Sequence, residues 1–235
     1  MTIKRGYIFS FGSWSSPLAY LVGVYLSDGC VHRPQGRMAI FSHSSIDREY
    51  VFKTKTALEV VLRHKVRYRE YNRTFKQENI GFKRYSQMIY EVSVSNEDFG
   101  NWLECITKSK TIVPEVEDYY LKHLLSGFID GDGYINIFKD KDRIQKDFQP
   151  LRCYQAGICG KGEKMQKIVG AFNKLGVKTG TKTIGKRDVE TYKVNLGSLA
   201  DSGICFSIHR KFFRFCEYVN QVKPSTTIRR TLVFK

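Results

Sequence analysis

Apolar residues recur with a helical period near the middle of the chain. Leu121, Leu124, Leu125, Phe128 and Ile129 stand at i, i+3, i+4, i+7 and i+8, the stripe of an amphipathic helix. The stripe runs into Asp130, Gly131, Asp132 and Gly133, which predicts a helix stop with glycine where a left-handed backbone is tolerated. Gly127 and Gly131 lie four apart on one face, where alanine would hold the helix better by about 1 kcal/mol per site. Small residues at that spacing permit close backbone approach. The same pattern occurs once before, in residues 17–31: Leu21, Gly23, Asp28 and Gly29 align with Leu125, Gly127, Asp132 and Gly133. Ala19, Gly23 and Ser27 supply the small face of this earlier copy. The copies are 104 residues apart (132 − 28) in a chain of 235, one to each half, the mark of a duplicated unit. Two helices of this kind would pack face to face and bring Asp28 and Asp132 to one end of their interface.

Each motif is followed by patterning of the same order. In the first half, Ser15 or Ser16 caps the motif helix and Pro17 sits in its first turn, as helix starts favour. Residues 30–42 read as two short strands around a turn at Pro34 and Gly36. Ser44 and Ser45 open a helix to about His64, with Val51, Leu58, Val61 and Leu62 as its apolar stripe. Residues 66–73 alternate as a strand with Arg67, Arg69, Tyr71 and Arg73 on one face. Its partner over 86–95 buries Tyr90, Val92 and Val94, and a helix follows over 96–106. After the second motif come a strand over 134–139, a charged loop over 140–149 and a strand over 151–159. A helix over 161–175, strands over 177–184 and 191–196, and a last helix or helix pair over 198–221 complete the half. The units are then 1–106 and 117–235, joined by a linker over 107–116, with a polar tail from Lys223.

Charge narrows the partner. Thirty-nine Lys and Arg against 23 Asp and Glu give a formal net charge of +16, which points to a polyanion, nucleic acid first. The excess is +6 over residues 1–115 (17 − 11) and +10 over 116–235 (22 − 12), so both halves face that partner. A hydrophobic content of 42% argues for a folded chain over a disordered one. No run is apolar enough to span a membrane, and the first residues lack a signal-peptide plan. The six cysteines show no zinc spacing. Cys30, Cys159 and Cys205 stand among apolar neighbours and read as buried thiols of an intracellular protein, in a cytoplasm or an organelle.

Both stretches resemble the LAGLIDADG motif, and the two-copy arrangement is similar to a single-chain LAGLIDADG homing endonuclease. The second copy is the closer match; in the first, Leu26 stands where the family has its earlier, structural aspartate. The resemblance implies an α+β fold: two pseudo-symmetric αββαββα units packed through the motif helices, their antiparallel sheets forming a DNA-binding saddle. It implies a monomer that makes a Mg²⁺-dependent staggered double-strand break with 3′ overhangs in a long asymmetric site. Asp28 and Asp132 are then catalytic and metal-binding, with carbonyls near Ser27 and Gly131 as further oxygens. Mn²⁺ should substitute and Ca²⁺ should bind without supporting cleavage. Lys110 and Lys223, each before the close of its half and near a proline, match the lysines that the family places at its cleavage centre. One carboxylate from each half suits a hard cation that keeps waters, and two such groups without metal would repel and raise one pKa. Outward strand positions give Arg67, Arg69, Arg73, Lys139, Arg152, Lys182, Lys193 and Asn195 as the DNA-contacting row. The alternative is a fold of this type kept for binding alone, as an intron RNA maturase or a transcriptional regulator.

Overall fold

The computed structural model describes residues 13–34, 38–77, 83–144, 150–185 and 188–222. Helix α1 (Ser16–Leu26) is apolar on every side and buried from Leu18 to Leu26, as befits a central helix rather than a surface one. Ser15 caps it by accepting from the Leu18 N–H. Helix α4 (Asp118–Asp132) packs along it and is buried from Leu124 to Asp130. The contact is backbone on backbone. A Cβ at Gly23 would overlap the Leu124 carbonyl, and one at Gly127 would overlap the Tyr20 carbonyl. The small-residue face thus serves close approach, as its spacing predicts.

The left-handed glycine stop does not form. Gly133 ends α4 in extended backbone, φ −91°. The described glycines with positive φ are Gly162, Gly176 and Gly203. The chain passes from α4 directly into a strand, so no reversal calls for that conformation.

The first half continues as β1 (Cys30–His32), β2 (Ile40–Ser45), α2 (Arg48–Leu62), β3 (Arg67–Gln77), β4 (Lys83–Ser95) and α3 (Glu97–Ile106). The second half follows α4 with β5 (Gly133–Ile144), β6 (Pro150–Gly160), α5 (Glu163–Lys174), β7 (Thr179–Ile184), β8 (Glu190–Val194), α6 (Leu196–Ser202) and α7 (His209–Val222). The sheets are antiparallel with orders β1-β2-β4-β3 and β5-β6-β8-β7. The order αββαββα therefore occurs twice, with α7 appended, and the fold class is the one expected.

Three expectations change. Ser44 and Ser45 belong to β2, and Asp47 caps α2 by accepting from the Tyr50 N–H. Residues 140–144 of the expected charged loop belong to β5, which runs to Ile144 and pairs it with Pro150, and 145–149 lie outside the described residues. All six cysteines are free, but of the three expected to be buried Cys30 is exposed and Cys159 and Cys205 are half-buried. No helix among the described residues is long and apolar enough to cross a membrane.

Gly127→Ala should lower stability by about 1–3 kcal/mol or more, because backbone must move. Gly170→Ala, at an exposed α5 position with nothing near its Cβ, should raise it by about 0.5–1 kcal/mol. Urea midpoints would show opposite shifts; equal shifts would remove the close-approach account.

Candidate active site and sheet faces

Asp28 follows α1 and Asp132 ends α4, so both acids stand at the negative ends of helix dipoles, which disfavour them. Lysines meet those ends. Lys110 Nζ donates to the Gly29 carbonyl at 2.5 Å and the Ser27 carbonyl at 3.4 Å. Lys211, 6% exposed, donates to the carbonyls of Asp130 and Gly133, each at 2.6 Å, and approaches those of Ile129 and Gly131. The two lysines bracket equivalent residues, one on either side of each motif aspartate. Lys164, from α5, crosses between the halves to the Leu26 carbonyl at 2.7 Å and lies 3.8 Å from Asp132 Oδ2.

Burial raises the Asp28 carboxyl, and the ammoniums of Lys211, Lys110 and Lys164 oppose that rise. Burial first, and then the charge on Asp28, push Asp132 up to about 6, against the same three lysines. The two carboxylates therefore share one electrostatic site. Burial disfavours both ionised carboxylates although three ammoniums stand near them, and a divalent cation held between them would favour the ionised forms. No group of three or more His, Cys, Asp or Glu suited to a metal occurs among the described residues. Two carboxylates would be the protein's charged ligands, with water and phosphate oxygens supplying the rest, a set that suits Mg²⁺. The carbonyls of Ser27 and Gly131, expected as further oxygens, each accept from a lysine.

Lys110 reaches its position through strained backbone. Lys108, Ser109 and Lys110 have φ of 42°, 52° and 73°, a left-handed run that costs roughly 1–2 kcal/mol per residue. Lys223 lies outside the described residues. Lys211 takes the place that symmetry assigns to it, and its signal lay in spacing. It follows Asp132 by 79 residues (211 − 132), close to the 82 from Asp28 to Lys110 (110 − 28), whereas Lys223 follows by 91 (223 − 132).

Asp130, 2% exposed, accepts from the Tyr20 hydroxyl at 2.9 Å, from the Ser207 N–H at 2.8 Å and from the Ser207 hydroxyl. It ties α1 and the approach to α7 to α4. Arg210 Nε to Asp47 Oδ2, at 2.9 Å, adds an ion pair between the halves.

Strand register sorts the proposed DNA row. In the first sheet Phe41, His43, Val92, Val94, Val66 and Tyr68 face the core or pack against it. Arg67, Arg69, Tyr71 and Arg73 therefore take the open face, opposite Ser93, Glu91, Ile89 and Gln87. Arg69 is held by Glu91 at 2.8 Å. In the second sheet the core parity runs through Ile135, Ala156, Ile158 and Val194. Lys193 is open and exposed.

The other four positions depart from the row. Lys182 pairs with Tyr192 on the opposite parity, after a bulge in β7, and bonds to Glu190 at 2.5 Å. Lys139 and Arg152 pair with each other at register positions in step with Ile135 and Ala156; their side chains are outside those described. Asn195 follows β8 and caps α6, its amide oxygen accepting from the Ser198 N–H at 2.9 Å. The open face belongs instead to Tyr134, Asn136, Phe138, Cys153, Gln155 and Lys193.

Known structures share this fold. I-WcaI bound to its DNA recognition sequence matches over 90% of this chain and 94% of its own, with a TM-score of 0.56 and 11% identity. The LAGLIDADG meganuclease I-AabMI bound to uncleaved DNA covers 88% and 91%, with a TM-score of 0.54 and 12% identity. I-SmaMI bound to uncleavable DNA covers 92% and 95%, with a TM-score of 0.52 and 14% identity. The chain has the LAGLIDADG meganuclease fold. No family model matches the sequence, and no curated protein matches it. At such identities the likeness is one of LAGLIDADG architecture.

The raised Asp132 carboxyl carries a signed pH dependence. Between about pH 4 and 6 the native state keeps a proton that the unfolded chain has released, so stability falls as pH rises through that window. Without metal, Asp132→Asn should be more stable than the parent above pH 6 by on the order of 1–2 kcal/mol, with the advantage gone near pH 4. Melting curves in EDTA across that range would test it; an advantage that grows on acidification would refute the assignment.

Proposed function

We propose that this chain is a site-specific, metal-dependent DNA endonuclease that makes a staggered double-strand break with 3′ overhangs in a long asymmetric target. The observation that carries the reading is the electrostatic meeting of Asp28 and Asp132, one from each half, at the shared end of α1 and α4. Asp28 and Asp132 would hold Mg²⁺, with Mn²⁺ substituting and Ca²⁺ binding without cleavage. When bound, Mg²⁺ supplies an acidified water and offsets charge on the phosphate and the departing 3′ oxygen.

The lysines divide their work by donor count, each ammonium having three N–H groups. Lys110 uses two on carbonyls and keeps one for a phosphate oxygen. Lys211 faces four carbonyls and acts as a cap that fixes the end of α4. Lys164 holds the end of α1 and orients Asp132. Both acids come from one chain, so a monomer suffices. The arginine row and Lys193 contact the duplex.

Asp28→Asn and Asp132→Asn should each cut cleavage at least about 100-fold while leaving DNA affinity within a few-fold, read on duplexes selected for binding. Cutting by both variants in Mg²⁺, or by the parent in EDTA, would sink the metal-site reading. A parent that binds duplex and leaves it intact in Mg²⁺ would be a binding module instead.

Affinity should fall linearly on a log–log plot against salt through counterion release. Lys193→Ala should reduce that slope by about 1 and weaken binding about equally across sequences. A flat salt dependence in the parent would remove the sheet-face interface.

A further inference from the structure

The two open sheet faces differ in chemistry, and the difference bears on which base pairs each would read. On the first sheet, Arg67 and Arg73 are exposed, and Arg67 stands opposite the short side chain of Ser93. Arg69 is fixed by Glu91, which also accepts from the Tyr71 hydroxyl at 3.3 Å. The second sheet presents different groups. Asn136 lies directly opposite Gln155, so two carboxamides stand side by side across β5 and β6. Among the described residues neither amide is engaged by another side chain or by backbone. Tyr134 folds over Gly157 on one side of the pair. Phe138, 48% exposed, stands on the other side, opposite Cys153. Lys193 is the one described cation on this face.

In the major groove these groups are not equivalent. Arginine pairs in bidentate fashion with guanine O6 and N7, carboxamides pair with adenine N6 and N7, and apolar groups meet the thymine methyl. We infer that the target is compositionally asymmetric: the first sheet reads G·C pairs through Arg67, and the second reads A·T pairs through Asn136, Gln155 and Phe138. The inference rests on the DNA-binding reading above and adds the base class that each half recognises. An exposed phenylalanine costs solvation when DNA is absent, and a thymine methyl is the groove feature that it complements.

The test is selection of bound duplexes from a randomised library by the parent and by Arg67→Ala, Asn136→Ala and Gln155→Ala, all at exposed or half-buried surface positions. Scoring bound duplexes makes the result independent of cleavage. Positions relaxed by Asn136→Ala and Gln155→Ala should be A·T in the parent's site and lie in one half of it. Those relaxed by Arg67→Ala should be G·C and lie in the other half. Each loss should be about 5- to 150-fold in preference, the span of one bidentate contact. Replacing thymine by uracil in the A·T half should weaken binding by the parent several-fold and leave Phe138→Ala unchanged. Relaxed positions of the opposite class, or no relaxation in any variant, would overturn the inference while leaving a selected site intact. Failure of the parent to select any sequence would instead overturn the DNA-binding reading beneath it.

Discussion

Everything in this chain depends on how closely α1 and α4 approach. Where Gly23 faces the Leu124 carbonyl and Gly127 faces the Tyr20 carbonyl, the helices touch through their main chains. Two distant segments, one from each half, therefore share one axis and one end. Ordinary helix packing keeps axes 8–10 Å apart through interposed side chains. Here the absent side chains let two acids share a single electrostatic environment.

Such closeness has an electrostatic cost that the fold meets with lysine. Two dipole ends and two carboxylates gather where water is scarce, and Lys110, Lys211 and Lys164 converge on the same few ångströms. Their ammoniums satisfy helix-end carbonyls that would otherwise be left without donors. They do not bring the aspartates back to the ordinary carboxylate range. What remains is a pair of acids whose ionised forms burial disfavours and which a bound hard cation would favour.

The sequence made the duplication, the small-residue face and the two aspartates legible, because each is a local pattern with a physical reason for its spacing. It also showed the arginine row of β3, since alternation alone assigns Arg67, Arg69 and Arg73 to one face. Alternation misplaced Lys182, because a bulge in β7 resets parity and leaves no mark in composition. It misread Asn195 because a cap and the end of a strand look alike until the next helix is located. For Lys211 the spacing from Asp132 nearly repeats that of Lys110 from Asp28, but its contact with the end of α4, 81 residues from Asp130, forms only in the tertiary structure.

The Tyr20–Asp130 bond gives the two halves distinct identities. Counting back 104 residues from Leu124 gives Tyr20 (124 − 20), and the same step takes Asp130 to Leu26. The phenol and the carboxylate it serves thus occur once each, on opposite helices. A second half paired with a copy of itself would set Leu124 where Tyr20 stands, and each buried Asp130 would lose a donor. A first half paired with its own copy would face two idle phenols with Leu26 between them. The bond therefore favours unlike partners: a pairing of identical halves would forgo it at each buried Asp130, a cost of about 1–3 kcal/mol per site.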